Sequence, residues 1–367
     1  MLFVAGEVSG DLHASGVAEI IRKVQPARKL IGIGGNRMAA AGVELIEHVE
    51  NLAVMGFVEV VKHVPHHWKL LRILRERMSA GRTALVVLVD YAGFNMQVAK
   101  AAREAGVPVL YYVTPQVWAS RAGRLPKLAK VVTKAACILP FEEALLRKHG
   151  IDATFVGHPL LDRAQELPTQ PEARVQLGLP VDGELLAVFP GSRKSELSYH
   201  LDPFVETARE LQRRRPGLNV VVATAPSLQI DAAQCPFPQI SGASFTVLRA
   251  ATAGLLKSGT TTLEAAVVGL PHIIAYRTSG MSYAIAKRVV TIPRIGLVNV
   301  VADREVSREF VQDALVPREM ANALEPLLDV SSPERAAAVE GLASVRAQLG
   351  TPGAAERVAA IAMGMMQ

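Results

Sequence analysis

The chain is expected to be α/β, with two Rossmann-like domains facing each other across a cleft. Short apolar runs alternate with helical patterns, which is the signature of βαβ units and a parallel sheet. That series occurs twice, on either side of a proline-containing polar stretch at 165–180. Each series also carries a loop rich in Gly, Ser, Thr or Arg at a strand end, where ligands of open α/β sheets bind.

The 367 residues suffice for two domains of ordinary size, and a chain 50% apolar and 20% charged builds substantial cores. The expected division is 1–165 for the first domain, 166–330 for the second and 331–367 for a helical tail. The tail either packs back across the domains or mediates a homodimer. Forty basic against 34 acidic residues leave a net charge of +6. That mild, dispersed excess suits phosphate-bearing or membrane-surface partners and argues against nucleic acid. Cys137 and Cys235 are the only cysteines, so neither a disulfide framework nor a zinc site is expected, and a reducing cytosol is the default compartment. His63, His66 and His67 lack the His-Glu-x-x-His pattern that marks a zinc protease. No metal and no cofactor is expected. No window approaches the roughly 18 apolar residues of a spanning helix. The start, Met1-Leu-Phe-Val-Ala-Gly-Glu7, reads as a strand entering a loop, because it lacks a signal peptide's basic leader and long apolar core.

In the first domain, strands are expected at 2–5, 30–33, 85–89 and 108–113, with 6–11 a loop and 12–23 a helix. The residues beyond these strand ends include Gly6, Glu7, Ser9, Gly10 and Asp11, then Gly34 and Gly35, then Asp90 to Asn95. The spacing around Gly6 is not a dinucleotide fingerprint, since the three-glycine pattern and a later acidic residue are missing. A carboxylate at a buried strand end, Asp90, beside the polar Asn95, could serve as general base toward a hydroxyl. Position alone serves a helix cap equally well. Residues 54–68, with Val54, Phe57, Val61 and Trp68 among basic neighbours, form an amphipathic segment suited to a lipid interface or to packing on its own sheet.

In the second domain, strands are expected at 185–189, 220–223, 254–257 and 272–276. The first ends in Pro190-Gly-Ser-Arg193, where glycine permits close approach, Ser192 can cap and Arg193 can grip a phosphate with two donors. The third runs into Lys257-Ser-Gly-Thr-Thr-Thr-Leu-Glu264. There Ser258 and the threonines can cap the helix, Gly259 lets a ligand approach, and the helix start offers unpaired N–H groups and about half a positive charge. Glu264, one turn inward, can reach the sugar of a nucleotide held at Thr260. Together the two loops would hold a diphosphate, and Asp90 and Glu7 would face the reacting sugar.

Several motifs then coincide in one order: Ala5-Gly-Glu-Val-Ser-Gly-Asp11, Leu52-Ala-Val-Met-Gly-Phe-Val-Glu59 and Asp90-Tyr-Ala-Gly-Phe-Asn95. Tyr112-Val-Thr-Pro-Gln-Val-Trp118, Leu139-Pro-Phe-Glu142, Phe155-Val-Gly-His-Pro159, Pro190-Gly-Ser-Arg193 with Glu196, Ser258 to Glu264 and Tyr276-Arg277 follow. With these the chain resembles the lipid-A-disaccharide synthases, inverting glycosyltransferases of GT-B type. The resemblance implies transfer of diacylglucosamine from a UDP-diacylglucosamine donor to a diacylglucosamine 1-phosphate acceptor, at the cytoplasmic face of the inner membrane. It implies Asp90 as base toward the acceptor 6-hydroxyl, with Glu7, Ser9 and Asn95 nearby. It also implies Arg193, Ser258, Gly259 and Thr260 on the diphosphate, Glu264 on the ribose, and Arg277 and Asn299 in the active site. The chain departs from the family at Ala92-Gly93, where Pro-Asp is frequent, and at Leu297-Val298-Asn299, where the family has Leu-Pro-Asn. No second carboxylate is therefore assigned beside Asp90. The competing readings are another GT-B transferase of envelope lipids, a UDP-sugar 2-epimerase, or a UDP-sugar-binding module that would have no need of Asp90.

Overall fold

The computed structural model describes residues 1–52, 57–120, 122–290 and 292–366, with side chains omitted at 57–64, 120 and 122. It divides into two units, residues 1–159 with 350–367, and residues 160–349.

Unit 1 is built on seven strands: β1 (Leu2–Ala5), β2 (Ile31–Gly34), β3 (Glu44–His48), β4 (Val86–Val89), β5 (Val109–Tyr112), β6 (Lys134–Cys137) and β7 (Asp152–Phe155). All pair in parallel, in the order β3-β2-β1-β4-β5-β6-β7. Strands β1, β4 and β5 are buried along their whole length, as expected of strands covered by helices on both faces. The helix Val8–Val24 buries Ala14, Val17, Ala18 and Ile21, a stripe at helical spacing, against one face. It begins four residues earlier than the sequence pattern suggests. The turn expected at 6–11 is only Gly6 and Glu7, with Glu7 at the N-cap.

Unit 2 has six strands: β8 (Leu185–Phe189), β9 (Asn219–Thr224), β10 (Gln239–Ser241), β11 (Ala253–Lys257), β12 (His272–Tyr276) and β13 (Glu309–Val311). They too are parallel, in the order β10-β9-β8-β11-β12-β13. In each sheet the order reverses beside the first strand, between β1 and β4 in unit 1 and between β8 and β11 in unit 2. These are the topological switch points, where the loops leaving the carboxyl ends diverge and open a crevice.

The boundary lies at Pro159/Leu160 rather than at 165/166. Leu160 and Leu161 are buried in the short helix Leu160–Ala164, which packs on the helix Thr261–Val268 of unit 2. The tail is divided. The helix Pro333–Gln348 stays in unit 2, packed on Thr261–Val268 and Leu297–Ala302. The helix Ala354–Gly364 returns to unit 1, burying Val358, Ala359 and Ala362 in the cluster that holds Val17 and Ile21. Arg357 Nε donates to the Val156 carbonyl at 2.8 Å. No described helix is long and apolar enough to cross a membrane.

Candidate functional site

The switch point of unit 1 places Gly6 and Glu7 at the end of β1 beside Asp90 at the end of β4. Asp90 and Tyr91 both have φ of +49°, and Val113 at the end of β5 has +55°. Left-handed backbone is disfavoured for side chains with a Cβ, and strain of this kind collects at functional sites. Asp90 is held in that conformation through its own carbonyl, which accepts from Tyr111 Oη and from Asn95 Nδ2, both at 2.7 Å. The fully buried Asn95 also donates to the carbonyls of Val4 and Val89, at 3.4 and 3.3 Å. Asn95 thus ties the ends of β1 and β4 together and positions Asp90 from within the protein.

The Asp90 carboxyl is half-buried. Burial pushes its pKa above the ordinary carboxylate value, and the negative charge of Glu7 pushes it the same way. Glu7 at the N-cap and Ser9 on the first turn of the helix are both exposed. Asp11 is turned inward and accepts from the backbone N–H groups of Gly35, Arg37 and Met38 at 2.6, 3.1 and 3.1 Å. It therefore braces the loop after β2. A Cβ on Gly6 would lie 2.1 Å from the Tyr91 ring, so only glycine allows Tyr91 its place. The Tyr91 hydroxyl in turn lies 2.7 Å from His67 Nε2.

The Pro-Gln-Val-Trp and Leu-Pro-Phe-Glu motifs meet at one buried carboxylate. Glu142 accepts from Trp118 Nε1 at 3.0 Å, Leu139 N–H at 3.2 Å and Thr114 Oγ1 at 3.4 Å. Burial pushes its pKa up to about 7 against the pull of those donors. His158 of the Gly-His-Pro motif is buried and its pKa falls to about 3, chiefly through desolvation. It is therefore a neutral imidazole at physiological pH.

The switch point of unit 2 brings together the two loops singled out from the sequence. After β8 the chain turns through Gly191, at φ +134°, into the helix Lys194–Arg214. Arg193 is its N-cap and makes no side-chain cap. Ser192 does not cap either. Its N–H donates to Glu196 Oε2 at 2.8 Å, a reach-back from the helix's third residue. Glu196 Oε1 lies 3.4 Å from Arg193 Nη1 and 2.9 Å from Lys257 Nζ at the end of β11. Burial raises the Glu196 pKa, but Lys257, the Ser192 N–H and Arg193 together outweigh it and hold the carboxyl below its usual range.

After β11, Ser258 does not cap the helix Thr261–Val268. Its Oγ donates to the Ile295 carbonyl at 2.7 Å, and Thr260 occupies the N-cap without a side-chain hydrogen bond. The turn is instead supported from behind. Glu309 accepts from the N–H groups of Ile295 and Gly296 and from Asn299 Nδ2, at 3.0, 2.9 and 2.8 Å. The fully buried Asn299 also accepts from the N–H groups of Val306 and Ser307, so it braces the Ser258 turn through Glu309. Glu264 accepts from Ser244 Oγ at 3.0 Å and pairs with Arg163 at 3.5 Å. Arg277 is fixed at the end of β12. Its N–H donates to His200 Nε2 at 2.8 Å and its Nε to the Gln312 carbonyl at 3.3 Å. His200, whose Nδ1 faces the Glu196 carbonyl at 2.7 Å, links the loop after β8 to Arg277. Burial lowers the His200 pKa, so the neutral ring donates from Nδ1 and accepts at Nε2. Lys257, His200 and Glu309 were not singled out from the sequence. For Lys257 the available signal was its position as the last residue of an apolar strand entering a Ser-Gly-Thr turn.

The family model described as Lipid-A-disaccharide synthetase matches residues 1–356. The lipid-A-disaccharide synthase of Anaeromyxobacter sp. (strain K) is 38% identical over 376 residues, covering 100% of this chain and 97% of that protein. The synthase of Syntrophotalea carbinolica is 39% identical over 367 residues, with 98% and 93% covered. Among solved structures, the glycotransferase of kitacinnamycin aligns with a TM-score of 0.66 at 16% identity, over 100% of this chain and 98% of the other. The calicheamicin glycosyltransferase CalG4 aligns at 0.64 and 17%, over 100% and 97%. A putative UDP-N-acetylglucosamine 2-epimerase from Listeria monocytogenes aligns at 0.65 and 12%, over 97% and 93%. At such identities these structures speak to the fold alone, two parallel-sheet α/β units of GT-B type. The sequence matches run the length of the chain and place it more narrowly: it belongs to the lipid-A-disaccharide synthetase family.

Proposed function

We propose that the protein transfers a 2,3-diacylglucosaminyl group from its UDP derivative to the 6-hydroxyl of 2,3-diacylglucosamine 1-phosphate. The products are a β(1→6)-linked disaccharide 1-phosphate and UDP. The observation that carries this reading is the family match over residues 1–356. The half-buried Asp90, with its raised pKa, supports the role of general base in unit 1. Such a base takes the hydroxyl proton as the oxygen attacks the anomeric carbon from the face opposite UDP, which inverts the centre. Glu7 and Ser9 are assigned to the vicinity of the acceptor, a reading the resemblance supports. Asn95 acts on Asp90 through its carbonyl.

In unit 2, Arg193, Gly259, Thr260 and the helix start at Thr261 are assigned to the diphosphate, whose charge grows as the glycosidic bond breaks. Fixed N–H dipoles and a guanidinium stabilise that charge without reorganising. Glu264 is assigned to the ribose and Arg277 to the sugar or the phosphate. Ser258 and Asn299 hold the shape of the turn.

The acylated substrates call for peripheral contact with the inner membrane. Most of segment 54–68, the expected contact, lies outside the described residues or side chains. Its last residue, Trp68, is 66% exposed. Pro65, Trp68, Lys69, Leu71, Arg72 and Arg75 line a groove of about 610 Å³. In unit 2 the helix Gly280–Val289 buries none of its residues. Met281, Ile285 and Val289 are exposed on one face of it, and Arg288 in the last turn borders that face. Apolar side chains with adjacent cations suit an anionic lipid surface.

Incubation with UDP-diacylglucosamine, with and without the acylated acceptor phosphate, tests the proposal. UDP release that requires acceptor is expected. Epimerised donor, or donor binding with no turnover in the presence of acceptor, would overturn it.

A further inference from the structure

The Lys257 ammonium is the feature of the donor-side switch point that no sequence motif assigned. It is 18% exposed, and the Glu196 carboxylate it pairs with is 13% exposed. Nζ also lies 5.8 Å from the centroid of the Tyr276 ring, and 3.7 Å from where a Cβ on Gly259 would stand. The cation therefore reaches over the Ser-Gly-Thr turn while resting on the carboxylate of the other loop. Around that carboxylate stand a backbone N–H at a helix start, a lysine and an arginine. This is the donor set that phosphate oxygens require. Gly191 is required for the enclosure, because a Cβ there would lie 2.6 Å from Glu196 Cβ.

We propose that Lys257 is a diphosphate-binding residue of the donor site, and that Glu196 is an internal anion which holds it in place and gives it up to the nucleotide. The inference rests on the donor reading above and deepens it. A lysine buried without an anion pays heavily in desolvation, and burial of a lone charge is relieved only by a partner. Glu196 supplies that partner, 2.9 Å from Nζ. A diphosphate arriving at Gly259 and Thr260 offers more negative charge and more acceptor oxygens than one carboxylate. The flexible lysine stem can then swing its ammonium from one anion to the other while the neutral His200 keeps the first turn of the helix registered on Arg277. No covalent bond changes in this exchange. When the glycosidic bond breaks, the electron pair stays on the diphosphate oxygen, and the ammonium lies beside the charge that develops.

The test compares UDP and uridine binding by calorimetry in the wild-type protein and in Lys257→Met and Glu196→Gln. Lysine loss should weaken UDP roughly 10–100-fold, the range for a charge-assisted hydrogen bond, and leave uridine within about twofold. Glu196→Gln should tighten UDP a few-fold, because the competing charge is gone. A purely structural ion pair would instead lower the melting temperature and weaken both ligands alike in Lys257→Met. Equal UDP affinity in Lys257→Met and wild type, or equal losses for UDP and uridine, would overturn the inference. Should Lys257→Met fail to fold, Glu196→Gln still decides, since unchanged or weaker UDP binding there rules out the exchange. A wild-type protein that binds no UDP at all would defeat the donor reading itself, a result distinct from either.

Discussion

Replacing Asp90 by Asn isolates the proposed general base from everything that supports it. Asn is nearly isosteric with Asp and tolerates left-handed backbone better than other residues with a Cβ. The +49° φ at this position is therefore no obstacle. The hydrogen bonds from Tyr111 and Asn95 go to the main-chain carbonyl and survive the change. What is lost is the ability to take a proton. General-base catalysis is worth about 10²–10⁴-fold, or about 2.7–5.4 kcal/mol of barrier. We expect kcat to fall by that factor while UDP affinity stays unchanged. Burial and the Glu7 charge raise the Asp90 pKa, so the folded protein binds this proton more tightly than the unfolded chain. The stability the protonated carboxyl contributes is present below the unfolded pKa and lost as pH rises through the folded one. At neutral pH the ionised Asp90 thus costs stability, and the Asn variant should melt no lower than wild type. The same shift sets the pH profile. The rate should fall on the acid side at a pH above the ordinary aspartate value of about 3.9. Removing the second-largest cause, with Glu7→Gln, should move that limb to lower pH. Steady-state rates measured across pH, with denaturation and UDP titration in parallel, make the case. An Asp90→Asn enzyme within tenfold of wild-type turnover, or an acid limb that ignores Glu7→Gln, would refute the assignment.

Arg193→Ala removes a guanidinium whose side chain is 64% exposed. Calorimetry should show UDP weakened about tenfold, at the low end for a charged hydrogen bond, and uridine unaffected; an unchanged UDP affinity would contradict the phosphate role. Gly6→Ala forces a Cβ to within 2.1 Å of the Tyr91 ring. Chemical denaturation should then report a loss of roughly 1–3 kcal/mol, as for other overpacked sites, with turnover reduced and UDP affinity kept; full activity would show that Tyr91 can move without disturbing Asp90. Polar replacement of Phe57, Val61 and Trp68, or separately of Met281 and Ile285, should release the protein from anionic vesicles in a sedimentation assay. Vesicle binding equal to wild type in both variants would reject these surfaces.

Much of the architecture was legible along the chain. Strand limits at Leu2–Ala5, Leu185–Phe189 and His272–Tyr276 follow from apolar runs bounded by turn residues, because a strand buried on both faces needs such a run. Strands β6 and β7, Lys134–Cys137 and Asp152–Phe155, do not stand out as apolar runs in the sequence. Lys-Ala-Ala-Cys carries little β-propensity of its own, and Asp-Ala-Thr-Phe has it only in its last two residues, so pairing with parallel neighbours decides both strands. Val8-Ser9-Gly10 reads as loop by composition yet forms the first turn of the helix, where Gly10 lies so close to β1 and β4 that a Cβ would stand 3.3 Å from Ala5 Cβ and 3.5 Å from the Val89 carbonyl oxygen.

The sequence by itself determined which groups are present at the ends of the strands: the carboxylates Glu7 and Asp90, the guanidinium of Arg193, the glycine turns and the helix starts. Strand ends and turns are local, so their residue types can be read in order. Only the tertiary structure decided what each polar atom is used for. Asn95 and Asn299 read as candidate ligands and turn out to be buried braces, each spending its hydrogen bonds on backbone or on Glu309. Ser258, read as a helix cap, gives its hydroxyl to a carbonyl 37 residues along the chain. Lys257 and Glu196, 61 residues apart, become partners because β8 and β11 are neighbours in the sheet. Hydrogen-bonding capacity is written in the side chain, but its partner is chosen by the strand order, which is a property of the whole sheet.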